Sequence, residues 1–322
     1  ARYKPYYEEL ESEKIYLWCA CGRSKKQPLC DGSHRGTGIL PLKYRAKEGG
    51  EEVLFCGCKH TADQPFCDGA HNNLKDTYET VNPNAPEYAG IPIVLADADS
   101  KARLDGGCFV CSVSHIAKTH QGTVSWSPVI TADDGANHQS QFYFHAEPGI
   151  APVTGFGNRH VVMLVTAGNG KVNVGGRLFA VSPNTGVYVR PGELFQLHAS
   201  EALSVFVSAG PLAEAPTWHE TMDDKFDAAH PNRTIGIDEN QRQTMGNRFF
   251  QMLVDKSLGS DLITQFIGEI PLSKAVPHRH LYEESLVVIK GKGFIWTESG
   301  KAAVTAGDVI FLPRKQTHSL EC

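Results

Sequence analysis

Residues 277–293 read PHRHLYEESLVVIKGKG, and this stretch decides the fold of the C-terminal quarter of the chain. Successive side chains of a β-strand point to opposite faces, so His278, His280 and Glu284, all at even positions, can share one face. The next two residues of that parity are a leucine and a valine. The pattern therefore predicts a strand whose polar end continues into an apolar core.

A second stretch, GDVIFLPRKQTH at residues 307–318, predicts a neighbouring strand that brings His318 to the same point. Three neutral imidazoles and one carboxylate suit iron, manganese, nickel, zinc or copper. In an octahedral complex, four protein ligands leave two positions for substrate or oxygen, and open positions are typical of a catalytic site. The alternative is a polar strand end without a metal, but buried histidine and glutamate without a partner would cost free energy.

These residues resemble the two motifs of the cupin family. The matching positions of the two motifs are His278, His280, Glu284 and Gly291, then Gly307, Pro313 and His318. Leu272 and Lys315 stand where the cupin pattern has turn glycines, so we expect the loops to differ in shape. The resemblance implies a double-stranded β-helix barrel that holds a metal inside through His278, His280, Glu284 and His318.

The same template recurs earlier in the chain, where the spacing of Pro271, Gly291 and Gly293 is repeated by Pro148, Gly168 and Gly170. At the ligand positions the earlier copy has residues that cannot hold a metal, namely Gly155, Gly157, Val161 and Gln196. The chain is therefore expected to contain two cupin barrels, of which the first has lost its site.

Short runs rich in Val, Ile, Phe and Thr alternate with turn residues here, which is typical of a β-sandwich or barrel. The clearest expected strands lie at residues 141–146, 161–166, 187–190 and 202–208. The first copy continues to a strand that ends near Ala209, whereas the second stops four residues after His318. Either further residues follow Cys322, or another segment of the chain completes the second barrel.

The first quarter of the chain contains a repeat. Residues 19–34 read CACGRSKKQPLCDGSH, and residues 56–71, 37 positions later, read CGCKHTADQPFCDGAH. Each copy supplies three thiolates and one imidazole, which is a complete four-coordinate set. Structural zinc accepts such a set, and so does a [2Fe–2S] cluster with mixed Cys and His ligands. Disulfides do not explain the pattern, because three cysteines leave one unpaired in each copy.

The repeat resembles the CDGSH iron–sulfur family, the mitoNEET-like group, over roughly residues 13–75. In that family the three Cys and the His of the motif ligate one [2Fe–2S] cluster. Carried over by position, the resemblance implies two clusters, the first held by Cys19, Cys21, Cys30 and His34 and the second by Cys56, Cys58, Cys67 and His71.

The predicted fold class is mainly β, with two small CDGSH iron–sulfur modules followed by two cupin double-stranded β-helix barrels. The expected boundaries are 1–80 for the tandem cluster region, 81–104 for a linker, 105–215 for the degenerate barrel, 216–245 for a second linker and 246–322 for the metal-binding barrel.

The composition of the chain indicates which binding partners and which cellular compartment to expect. A formal net charge of −5 over 322 residues argues against a nucleic-acid partner, and no apolar run is long enough to span a membrane. No signal peptide is visible, and the cysteine repeat favours a reducing cytoplasm. Because cupins commonly dimerise, the resemblance also implies a homodimer.

The two kinds of site together predict an oxidoreductase of the oxygenase type. Its expected cofactors are two [2Fe–2S] clusters and one mononuclear Fe(II), with Mn, Zn, Ni and Cu as alternatives. A small-molecule substrate and O₂ would share the open metal positions, and a reductase could supply electrons. The alternatives are a non-oxidative isomerase or lyase with redox-sensing clusters, and a sensor or cluster-transfer protein.

Overall fold

The computed structural model describes residues 2–74, 80–245 and 248–322. The chain divides into two compact units, one of Ala1–Glu79 with Thr244–Arg248 and the other of Thr80–Gln243 with Phe249–Cys322. Strands account for 43% of the residues and helices for 7%, which confirms the prediction of a mainly β protein. None of the described helices is long and apolar enough to cross a membrane.

The first unit contains two small antiparallel sheets. Its strands are β1 (Tyr6–Leu10), β2 (Ile15–Trp18), β3 (Leu42–Arg45) and β4 (Glu51–Phe55), paired as β1 with β4 and β2 with β3. In β2 the side chains alternate between exposed and buried, so Tyr16 and Trp18 enter a core that also contains Leu10 and Phe55. The cysteine motifs follow directly after β2 and β4.

The remaining strands are short. They are β5 (Thr80–Val81), β6 (Lys101–Arg103), β7 (Phe109–Ser112), β8 (Thr119–Gln121), β9 (Val124–Ile130), β10 (Ser140–Ala146), β11 (Gly149–Ile150), β12 (Val153–Gly155), β13 (His160–Ala167), β14 (Gly170–Val174), β15 (Arg177–Val181), β16 (Thr185–Val189), β17 (Phe195–Ala199), β18 (Leu203–Gly210), β19 (Thr217–His219), β20 (Thr234–Ile235), β21 (Gln243–Met245), β22 (Arg248–Val254), β23 (Gln265–Glu269), β24 (Lys274–Ala275), β25 (Glu284–Val287), β26 (Lys292–Trp296), β27 (Lys301–Thr305), β28 (Asp308–Leu312) and β29 (Ser319–Glu321). Most of these strands form the barrels, whereas β21, β22 and β23 form a separate three-stranded sheet. The 3₁₀ turns are Ala70–Leu74, Pro86–Tyr88, Asp105–Gly107, Val113–His115, Ala132–Asp134, Glu239–Gln241 and Lys256–Leu258.

The first barrel consists of two facing sheets. One runs in the order β20-β16-β13-β18-β10-β9-β8 and the other in the order β15-β14-β17-β12-β19. All four strands expected in this region are present, as β10, β13, β16 and β18. Between the sheets lies a core of buried valines, leucines and phenylalanines, including Phe142, Phe156 and Phe195.

The second barrel also has two sheets, in the orders β27-β26-β29-β24-β5 and β25-β28-β7-β6. Its core contains Val110, Ile295 and Ile310. Strands β5, β6 and β7 come from residues 80–112, which precede the first barrel in the chain. Another segment of the chain therefore contributes to the second barrel, which was one of the two alternatives left by its short C-terminal end.

The predicted linkers need correction for this reason. Residues 81–104 include β6, which pairs with β7, and β7 pairs in turn with β28 of the second barrel. The first barrel thus starts after β7 rather than at residue 105. Residues 216–245 are not a plain linker either, because β19 pairs with β12 and β20 with β16. In these pairings the backbone N–H and C=O groups at the edge of a barrel sheet form hydrogen bonds with a strand that is distant in sequence.

A shared apolar core joins the two barrels. Phe109 and Phe311 from the second barrel lie in one buried cluster with Leu164 and Phe206 from the outer face of the first. Leu253 of β22 is fully buried in the same cluster. Burial of such large side chains stabilises the pair of barrels as one unit.

Candidate metal sites

Three of the four residues predicted to bind the cupin metal converge. His278, His280 and His318 place one ring nitrogen each within 4.8 Å of one another. Among the described residues this is the one group of three or more His, Cys, Asp or Glu side chains that comes so close. The backbone brings two of them together, because His278 and His318 exchange N–H···O bonds of 3.0 and 2.9 Å as an antiparallel bridge.

Local hydrogen bonds orient two of the rings. Nδ1 of His278 lies 2.9 Å from the carbonyl of Val276, and Nδ1 of His318 lies 2.9 Å from the carbonyl of Gln316. A carbonyl only accepts, so each Nδ1 carries the proton and each Nε2 keeps its lone pair. This arrangement is the usual second layer around a metal-binding histidine.

Glu284 stands beside the histidines, and Glu283 does not. An oxygen of Glu284 lies 3.6 Å from Nε2 of His280. The carboxylate of Glu283 instead accepts backbone N–H groups of the first barrel, at 2.6 Å from Asn137, 2.9 Å from His138 and 3.3 Å from Gln139. Of the two neighbouring glutamates, the geometry therefore favours Glu284 as the ligand.

The electrostatics of the site fit a cation. Burial, reinforced by His278, lowers the pKa of His280 to about 4. Burial, reinforced by His278 and His280, lowers the pKa of His318 to about 3, so both rings are neutral at pH 7. Burial raises the pKa of Glu284 to about 7, because its carboxylate is largely removed from water. A divalent metal bound by the neutral rings would stabilise that carboxylate, so the donor set fits such an ion.

The corresponding positions of the first barrel offer no such set. Val161 is buried in the apolar core, and Gln196 donates from Nε2 to the carbonyl of Ala151 at 2.8 Å. Phe156 lies between the two glycine positions in sequence and stacks on Phe195 with ring centroids 6.3 Å apart. Apolar side chains, phenylalanines among them, thus fill the interior of the first barrel.

In the first cysteine motif the four predicted ligands come together in pairs. Sγ of Cys19 lies 3.8 Å from Sγ of Cys21, and Sγ of Cys30 lies 3.1 Å from Nδ1 of His34. Backbone bonds close the loop, since the N–H of Cys19 donates to Pro28 and that of Cys30 donates to Leu17.

The second motif repeats this arrangement. Sγ of Cys56 lies 3.5 Å from Sγ of Cys58, and Sγ of Cys67 lies 3.3 Å from Nδ1 of His71. Within each motif the pairs do not merge into one group of four within 4.8 Å in the part of the chain that is described. Two pairs of donors suit the two irons of a [2Fe–2S] cluster better than one tetrahedral zinc, around which all four donors would meet.

Two features of the cupin region were not predicted from the sequence. The ring of Tyr282 stacks on that of His280, with centroids 4.8 Å apart. A cavity of ≈ 290 Å³ has His318 in its wall, together with Lys274, Tyr88 and Trp296. Nζ of the buried Lys274 lies 4.1 Å from the ring centroid of Tyr88. Because Tyr88 lies in the expected linker and Lys274 occupies an unspecified position of the first cupin motif, no local spacing indicated them.

Family comparisons agree with the two kinds of site. The family described as iron-binding zinc finger CDGSH type matches residues 4–35, the cupin domain family matches residues 270–322, and the AraC-like ligand binding domain family matches residues 154–252. The first of these families implies an iron–sulfur cluster, and a cupin implies a metal such as manganese or iron.

Curated relatives match the N-terminal region. CDGSH iron-sulfur domain-containing protein 3, mitochondrial, is 59% identical over 46 residues in Homo sapiens, covering 14% of this chain and 36% of the relative. The Mus musculus protein of the same name is 54% identical over 50 residues, covering 15% of this chain and 36% of the relative. The chain therefore spans about a third of the length of these relatives.

Solved structures resemble the barrels. Protein Ylba from E. coli superimposes with a TM-score of 0.53 at 16% identity, over 70% of this chain and 90% of that one. A mutant of Bacillus subtilis oxalate decarboxylase OxdC superimposes with a TM-score of 0.51 at 14% identity, over 66% of this chain and 73% of that one. At such identities the likeness establishes the fold alone. The chain is a metal-binding, redox-related protein in which a CDGSH-type iron–sulfur region is fused to cupin domains.

Proposed function

We propose that this chain is a non-haem iron-dependent oxidoreductase of the oxygenase type, which oxidises a small molecule with O₂ and receives electrons through two [2Fe–2S] clusters. The observation that supports it best is the convergence of His278, His280 and His318 within 4.8 Å, with Glu284 beside them. Four protein ligands leave an octahedral iron with open positions, and the same chain carries one-electron cofactor motifs.

The residues of the second barrel have separable roles in this proposal. His278, His280, Glu284 and His318 would hold the metal, and iron there would supply oxygen activation. The carbonyls of Val276 and Gln316 keep two rings in the ligating tautomer. Tyr282 stacks on His280 and limits the freedom of that ring. The ≈ 290 Å³ cavity beside His318 gives room for a small molecule, with Lys274 as a cationic group in its wall.

The cluster region would deliver electrons one at a time from an external reductase. Its predicted ligands are Cys19, Cys21, Cys30, His34, Cys56, Cys58, Cys67 and His71. Mixed Cys and His ligation raises the reduction potential relative to an all-Cys cluster, which suits acceptance of electrons from common donors. A homodimer formed through the cupin region is part of the proposal.

A single-turnover experiment tests the proposal without knowledge of the substrate. The full chain is loaded with clusters and with Fe(II) or Zn(II) in the cupin site, its clusters are reduced anaerobically with dithionite, and O₂ is added. We expect the clusters to reoxidise faster in the Fe(II) protein than in the Zn(II) protein. The difference should vanish in His278→Ala and His280→Ala.

Equal reoxidation rates in the two metal forms would contradict electron delivery to the cupin site. Turnover of a candidate substrate by the manganese form without O₂ would instead indicate a non-oxidative lyase or isomerase. The variant Glu269→Gln, which changes an exposed carboxylate on β23, serves as the matched control.

A further inference from the structure

Trp18 links the two cysteine motifs directly. It precedes Cys19 in the chain, and its indole Nε1 donates a 3.0 Å hydrogen bond to the carbonyl of Cys56. Trp18 has no exposed surface, and Cys56 is buried as well. One side chain and one hydrogen bond therefore join a ligand-bearing segment of the first motif to a ligand residue of the second.

Lys59 meets the same carbonyl. Its Nζ donates to the oxygen of Cys56 at 2.9 Å and lies 4.6 Å from the ring centroid of Trp18. Its backbone N–H points at Sγ of Cys56, 3.2 Å away. The ammonium also interacts electrostatically with the thiols of both Cys-x-Cys segments, Cys19 and Cys21 as well as Cys56 and Cys58.

The repeat makes this junction asymmetric. In the 37-residue offset between copies, Trp18 corresponds to Phe55, which has no donor, and Lys59 corresponds to Gly22. Both Gly22 (φ 73°) and Lys59 (φ 69°) adopt the left-handed conformation. Glycine accepts it without strain, whereas lysine does so at a cost in free energy. A strained residue kept next to a cofactor motif points to a role in function.

We infer that Trp18 and Lys59 form an electronic junction between the two Cys₃His sites. An electron would pass between the clusters through the Trp18–Cys56 hydrogen bond, while the Lys59 ammonium stabilises the additional negative charge of the reduced state. In each transfer one reduced cluster loses an electron and the other, oxidised cluster gains it, and no atom or proton moves. The inference rests on the two-cluster part of the proposed function and is independent of the cupin reaction.

The test makes the two clusters distinguishable in the full, cluster-loaded chain. His71→Cys converts the second motif to all-Cys ligation, which lowers the potential of that cluster. Rapid photoreduction with less than one electron per chain populates both clusters, and electrons then move to the His-ligated first cluster. The relaxation, followed by freeze-quench EPR, is expected to slow several-fold when Trp18→Phe is added, since phenylalanine keeps a buried ring but cannot donate.

The reduction potentials of the clusters test the role of Lys59 separately. Lys59→Met should shift the reduction potentials of both clusters downward, and Lys59→Arg should restore them. Lys43→Met, which removes an exposed charge on β3, should leave them unchanged. Iron and sulfide content and the visible spectrum verify that each variant holds its clusters.

The possible results distinguish failure of the electronic junction from failure of the proposed function. An unchanged relaxation rate in Trp18→Phe overturns the hydrogen-bonded path, and unchanged potentials in Lys59→Met overturn the electrostatic part. Zinc or a single cluster in the purified chain would overturn both the junction and the proposed electron relay. Equal rates of cluster reoxidation in the Fe(II) and Zn(II) forms, together with an intact junction, would contradict the proposed function alone.

Discussion

The carboxylate of Glu283 accepts the backbone N–H of His138 at 2.9 Å, and this bond ties the strand that carries Glu284 to a loop of the first barrel. The backbone N–H groups of Asn137 and Gln139 also donate to this carboxylate, which therefore accepts three hydrogen bonds from the loop. A barrel that lacks a ligand set of its own thus supports the site of its neighbour.

Glu283→Ala should weaken metal binding at the cupin site. Without these three hydrogen bonds, the segment from His280 to Glu284 is no longer fixed to the first barrel. Loss of such a supporting contact typically lowers metal affinity by about tenfold or more. Titration of the metal-free protein with Mn(II), followed by EPR of the free ion, measures the effect. Glu269→Gln is the control, and an affinity equal to that of the parent protein would contradict the anchoring role.

Phe109→Ala should destabilise the unit that contains both barrels by about 3–5 kcal/mol. Phe109 is 1% exposed and packs on Phe311 with ring centroids 5.5 Å apart, although the two residues are far apart in sequence. Urea unfolding measures the loss, with Leu262→Ala at an exposed position as the control.

A fragment of residues 80–322 should fold, whereas one of residues 113–322 should not; stable folding of the shorter fragment would contradict the strand assignment.

Cys108 and Cys111 should resist alkylation in the native protein. Burial raises the pKa of each thiol to about 12, so almost no thiolate forms at neutral pH and neither sulfur is accessible. Cys322 is exposed and should react. Peptide mass spectrometry after brief treatment with iodoacetamide gives the pattern, and the urea-unfolded chain shows that every site can be labelled. Rapid labelling of Cys111 in the native protein would be inconsistent with its position on β7.

His160 should contribute to acid sensitivity of the barrels. Burial lowers its pKa, opposed by Asp261 at 3.5 Å and assisted by Arg190, while Nδ1 lies 2.8 Å from the hydroxyl of Tyr188. The unfolded chain therefore takes up this proton first as the pH falls below the ordinary value of 6.5, and stability is lost from there down to the folded-state pKa. Urea midpoints at about pH 7.5 and pH 5.5 should differ less in His160→Gln than in the parent. Equal differences would contradict this.

Local patterns in the sequence predicted that the histidines of the two cupin motifs come together. Strand parity predicted that His278 and His280 share one face. The structure brings them together with His318, although both histidines lie between β24 and β25 and not on the strand that Glu284 begins. The choice of Glu284 over Glu283 followed from the same parity, and the contacts of both side chains agree with it. Such predictions succeed because they depend on backbone geometry within a few residues.

Long-range pairing could not be predicted in this way. Pairing of β7 with β28 joins residues nearly two hundred positions apart, and the sequence of a short apolar strand does not specify which sheet edge it completes. The hydrogen bonds to the Glu283 carboxylate likewise come from backbone N–H groups. Every residue except proline carries such a group, so no side-chain pattern could indicate these bonds. The expected linkers at 81–104 and 216–245 were wrong for the same reason.

Mössbauer spectroscopy of the ⁵⁷Fe-enriched full chain, combined with metal analysis, tests the central claim most directly. Two [2Fe–2S] clusters and one mononuclear high-spin Fe(II) are expected per chain, and the mononuclear signal should disappear in His318→Ala while the cluster signals remain. Zinc in the cysteine motifs, or a mononuclear iron signal that persists in His318→Ala, would contradict the account.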